Sequence, residues 1–129
     1  MQSTLRNQVR ERAGHQCEYC QLRQVDEPYS AFQIEHVIAR QHGGSDEFGN
    51  LALACPHCNL HKGPNLAGID PLTDLIVPLF HPRLQTWSEH FEWVGADIVG
   101  KTECGRATVR VLMMNADLRR ALRCVNKPQ

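Results

Sequence analysis

The chain lacks any apolar run approaching the ~20 residues needed to cross a bilayer, and it lacks a basic-then-apolar leader. Neither sign of charge is in excess, because 14 basic and 14 acidic side chains give a formal net charge of zero. Large apolar side chains are scarce between residues 13 and 63. There is no internal repeat, no low-complexity tract and no clear linker. The first absence predicts a soluble, cytoplasmic protein with no membrane partner. The balanced charge leaves bulk electrostatics silent on nucleic acid, and the scarcity of core-forming residues predicts a fold that needs a staple. At 129 residues and 42% apolar, the chain suits one compact domain and is too short for two ordinary ones.

Cysteine supplies the staple. Four of the six cysteines fall in two pairs, Cys17-Glu-Tyr-Cys20 and Cys55-Pro-His-Cys58. Paired spacing without an export signal reads as a metal site rather than a disulfide framework. Four thiolates close a tetrahedral zinc site and leave no open position, so this zinc is expected to be structural. His57 lies inside the second pair but finds no vacancy. Zinc binding is worth ~10–16 kcal/mol in small metal-folded peptides, comparable to the stability of a domain. Folding is therefore expected to depend on zinc. Cys104 and Cys124 are left over and are expected to be free thiols.

A zinc staple alone does not need the polar residues around it. Between the pairs lie Glu35-His36, Gly43-Gly44 and Asn50-Leu51, and directly after Cys58 come Asn59, His61 and Lys62. A carboxylate, an imidazole and amides on a zinc-held frame are the parts of a phosphodiester-cleaving site. The run from Ile34 through Lys62 resembles the HNH endonuclease family, in the branch whose ββα-metal motif is stapled by two Cys-x-x-Cys pairs in a treble-clef arrangement. The family's three-part signature falls on His36, Asn50 and Asn59, and the likeness covers residues 13–63. Glu35 stands where Asp is commoner and Asn59 where many members have His.

The resemblance implies an α+β fold, with an HNH core over about 13–66 and an α+β extension over 67–129. It implies a metal-dependent endonuclease acting on DNA. His36 would be the general base, since an imidazole titrating near neutrality suits proton removal from water. Glu35 and Asn59, both hard oxygen donors, would hold Mg²⁺ or another divalent cation. Asn50 would hold the loop and orient the histidine. Arg40 and Lys62 are candidate phosphate contacts. The competing reading is a non-catalytic zinc module that binds nucleic acid or protein, and a third is an RNA-directed nuclease.

The remaining expectations are coarser. Ser3 or Thr4 can cap a first helix with the stripe Leu5, Val9, Ala13, ended by Gly14. Phe32–Ala39 reads as a strand that puts Glu35 and His36 on opposite faces. Leu51–Ala54 forms its partner, 46–50 is loop, and a short helix ends at Gly63-Pro64. Trp87–Val94 reads as strand or helix, Ile98-Val99 as a strand, Gly105–Met114 as a helix, and Asn115 as the cap of a last helix through Arg123. Residues 101–129 hold seven basic and two acidic side chains. That excess makes Arg106, Arg110, Arg119, Arg120 and Arg123 either a phosphate-facing surface or a solvated helix face.

Overall fold

The structure, a computed structural model, describes residues 2–126. It is an α+β arrangement of five helices and three two-stranded antiparallel sheets among those residues. Helix α1 (Ser3–Arg12) buries Val9 from the expected stripe, and Gly14 follows at a φ of 65°. Neither Ser3 nor Thr4 caps it; Gln2 takes the N-cap position without a side-chain bond. The first Cys pair forms a knuckle, which is tied to the frame when the Glu18 N–H donates to Leu53 O at 2.9 Å.

Strands β1 (Gln33–His36) and β2 (Leu51–Ala54) pair in the register Ile34 to Leu53, Glu35 to Ala52 and His36 to Leu51. β1 is four residues shorter than expected, with a physical cause. Beyond His36 one further backbone bond, Val37 N–H to Asn50 O, continues the ladder, and then the Asn50 side chain takes over. Its Oδ1 accepts from the Ile38 N–H at 2.9 Å, and its Nδ2 donates to Ile38 O and Ser45 O. Residues 38–45 are thus folded back as a clamped loop. Gly44 belongs to it by necessity, since a Cβ there would lie 1.6 Å from Ile38 O. Helix α2 (Pro56–Lys62) follows, with Cys55 as N-cap and Pro56 at the first position, where a missing N–H costs nothing.

The second half supplies β3 (Ala67–Ile69) with β4 (Ile76–Pro78), then α3 (Trp87–His90), β5 (Phe91–Val94), β6 (Asp97–Gly100), α4 (Glu103–Val111) and α5 (Asp117–Asn126). The ambiguous stretch from Trp87 is therefore both things in turn, one helical turn running straight into a strand. Asn115 does not serve as the expected cap. Its amide instead donates to Ile98 O and accepts from Ile98 N–H, pinning α5's approach to β6.

The two halves share one core. Cys17, Tyr19, Leu51 and Leu53 pack in the same cluster as Phe80, Phe91, Ile98, Leu112 and Met114. The seam also carries polar ties: Trp87 Nε1–H donates to Tyr19 O at 2.7 Å, and Arg83 pairs with Glu18. On the far side, buried Asp70 takes a bidentate grip from Arg106 on α4, with both bonds at 2.9 Å, and a further bond from Thr73. The Arg106 hydrogen bonds hold the Asp70 carboxyl well below the ordinary carboxylate range. A depressed carboxyl stabilises the fold above its unfolded value of ~3.9 and loses that contribution as pH falls further. Asp70→Asn is thus expected to melt below wild type at pH 7, with the gap in Tm narrowing once pH drops below about 4. A gap that does not change with pH would mean Asp70 contributes by shape alone.

Candidate functional site

The zinc-type site is built first, because it holds the other parts. Cys17, Cys20, Cys55 and Cys58 are buried, with their sulfurs all within 4.8 Å of one another. Tetrahedral bonds of ~2.3 Å imply sulfur–sulfur edges of roughly 3.8 Å, and Cys20 Sγ lies 3.8 Å from Cys55 Sγ. Each pair makes the same turn: the Cys20 N–H points at Cys17 Sγ and the Cys58 N–H at Cys55 Sγ, at 3.5 and 3.4 Å. Arg119 from α5 donates to Cys55 Sγ at 3.2 Å while pairing with Glu27 at 2.7 Å. A donor set of four converging sulfurs, two backbone N–H groups and a guanidinium fits a tetrathiolate cation site. His57 stands outside it, bonded through Nε2 to Met113 O, with its ring tilted against that of His61 at a centroid distance of 4.3 Å.

The hairpin divides the expected catalytic residues between its two faces. Gln33 and Glu35 face α2, where the small partners Ala52 and Ala54 let the helix approach. Ile34 and His36 face the other way. Glu35 is 5% exposed and fully engaged: the Tyr19 hydroxyl donates to Oε1 and Lys62 Nζ lies 3.5 Å from Oε2. Burial pushes its carboxyl up, against the pull of Lys62 and the tyrosine hydroxyl. Lys62 is 2% exposed and also donates to Val37 O at 2.9 Å. Lys62 is therefore an internal counter-ion, not the surface phosphate contact expected of it. Asn59 donates from Nδ2 to Gln33 Oε1 at 3.0 Å.

These positions do not fit Glu35 and Asn59 as an open divalent-cation site. The Glu35 carboxylate is shut from water and already neutralised by an ammonium. Among the described residues, the four cysteines form the sole cluster of three or more His, Cys, Asp or Glu ligands.

His36 is the partly open member, with 19% of its side chain exposed. Its Nε2 lies 2.6 Å from Asp46 Oδ1, and the same oxygen takes two bonds from Arg40, at 3.0 and 2.8 Å. Hydrogen bonds from His36 and Arg40 hold the Asp46 carboxyl below its usual range, so it stays ionised. The Asn50 side chain, expected to hold the loop and orient the histidine, bonds the backbone of Ile38 and Ser45 rather than the imidazole. Asn50 fixes the loop, and the loop's Asp46 touches the ring. Sequence reasoning missed Asp46 because it sits in a stretch read only as loop. Its signal was an acid just past a Gly-Gly turn, with a basic residue on the other side.

The basic C-terminal segment is also corrected. Arg106 grips Asp70, Arg119 serves Glu27 and the thiol site, Arg120 pairs with Asp97 at 2.6 Å, and buried Arg123 bonds Met114 O and Ala96 O. Of those five arginines, Arg110 alone is exposed without an ion pair among the described residues. Composition made these side chains look like a surface. Folding uses most of them as internal ties.

Comparison with known proteins agrees with this frame. Residues 17–65 match the family model described as HNH endonuclease. A relative is the Septu protein PtuB of Bacillus thuringiensis, 27% identical over 112 residues. The alignment covers 81% of this chain and 38% of that protein. No solved structure matches.

Two outcomes follow from the geometry. Metal analysis is expected to find one zinc per chain, and changing any of the four cysteines to Ala should remove it together with the folded state. A folded protein without zinc would refute the metal-site assignment. Glu35→Ala strands the buried Lys62 ammonium and is expected to cost ~3–5 kcal/mol in denaturant unfolding, part of which Lys62→Met should restore in the double variant. A near-neutral Glu35→Ala would mean that the pair is not closed in solution.

Proposed function

We propose that this protein is a nuclease that hydrolyses DNA phosphodiester bonds, with His36 as general base. The observation that carries the reading is the His36–Asp46 pair, held on a loop that Asn50 clamps at three backbone atoms. A carboxylate accepts, so Asp46 takes the Nε2–H and leaves the lone pair on Nδ1. Nδ1 is then the atom that receives a proton from water attacking phosphorus. As the ring becomes imidazolium, the ionised Asp46 stabilises the new charge and prevents rotation of the ring. Arg40 shares that carboxylate and stands at the same exposed edge, where it can meet a phosphate oxygen. Divalent-cation chemistry, implied by the family resemblance, enters none of these steps, because Glu35 as arranged cannot offer an open ligand.

The competing reading, a zinc-stapled module that binds nucleic acid without cutting it, draws support from that same closed Glu35–Lys62 pair. Plasmid cleavage by purified protein, in Mg²⁺, Mn²⁺, Ni²⁺ or chelator, separates the two. His36→Ala is expected to lower cleavage by ~10²–10⁴ while zinc content, fold and DNA affinity stay near wild type. Asp46→Asn should produce a smaller loss and shift the pH profile, since it weakens the base without removing it. Equal cleavage by wild type and His36→Ala would discard this site and favour the binding module.

A further inference from the structure

We propose that the groove between α1 and β1 seats one phosphodiester strand of DNA, with Arg6 and Arg10 on its phosphates. The groove has a volume of about 390 Å³ and is lined by Arg6, Arg10, Ala31, Phe32, Gln33 and Ile34. Two cations and an amide line it, and no acidic side chain does. Arg6 and Arg10 stand one turn apart on α1 and lie on one flank of the helix, with a rise between them of ~6 Å. That matches roughly two nucleotide steps at ~3.4 Å of rise per strand.

The groove also leads to the proposed base. Ile34, which lines it, and His36 share a face of β1, about 7 Å apart along the strand. A strand lying along the groove would therefore present its next phosphates beside His36 and Arg40. Most of the other arginines are committed to acidic partners. Arg23, Arg40, Arg83, Arg106, Arg119 and Arg120 all hold carboxylates. Arg10 holds none among the described residues. Phosphate contacts of this kind fix position and carry no base preference.

The identity of the strand rests on the nuclease reading, and the experiment separates the two. Affinity for a 20-base-pair duplex is measured by fluorescence anisotropy between 50 and 200 mM salt, in the His36→Ala background so that the DNA stays whole. Arg6→Gln with Arg10→Gln is expected to weaken binding about tenfold or more and to flatten the salt slope by about 1.8, from ~0.9 per lost phosphate contact. The double Arg→Lys variant should keep the slope. Arg23→Gln, which opens an exposed ion pair elsewhere, should leave both quantities unchanged. Zinc content and Tm confirm that each variant is folded. An unchanged slope in the double Gln variant, or no DNA binding by the parent, overturns the groove, even if wild type cleaves plasmid. A flattened slope without cleavage in any divalent ion upholds the groove and sinks the nuclease reading.

Discussion

Four sulfurs meeting at one point organise everything else in this molecule. The knuckle at Cys17 and Cys20 belongs to the first third of the chain, and Cys55 and Cys58 open helix α2. Joining them fixes where α2 lies against the hairpin, and so fixes Glu35 against Lys62 and Asn59 against Gln33. The hairpin itself is only four residues per strand, too short to hold together unaided. Its stability is borrowed from the thiol site on one side and from α1 on the other.

What could be read from the chain divides along the range of the interaction involved. The thiol site was legible because both knuckles are local and their spacing is set by the metal. The alternation placing Glu35 and His36 on opposite faces was legible too, since it follows from strand geometry. The partners of those residues were not. Lys62 lies 27 positions from Glu35, and a lysine at a helix end looks like any solvated lysine until the helix is docked. Asp46 stayed hidden because an irregular loop has no period to read. The arginines of α4 and α5 were misjudged for a related reason: composition records charge but not counter-charge, and Asp70, Glu27 and Asp97 come from distant segments.

The site that emerges is divided. One face of the hairpin carries a closed, satisfied ion pair, and the other a histidine with an ionised carboxylate beside it. A buried pair of this kind adds little net stability over an apolar filling, yet it fixes the register of α2 on β1. The other pair is open to solvent on its Asp46 side and shares its carboxylate with Arg40. The closed pair and the open pair thus lie on opposite sides of the same four-residue strand.

The cluster of four buried cysteines has a consequence for the charge of the whole molecule. The formal balance of zero counts every cysteine as neutral. Four thiolates around one Zn²⁺ leave about two negative charges, so the zinc-loaded protein is net anionic and should focus below the pH 7.0 implied by its sequence. Such a protein would have no long-range attraction to a polyanion, and the bulk field would repel it slightly. Encounter with DNA would then depend on a local cationic strip strong enough to act within a Debye length, ~8 Å at physiological salt.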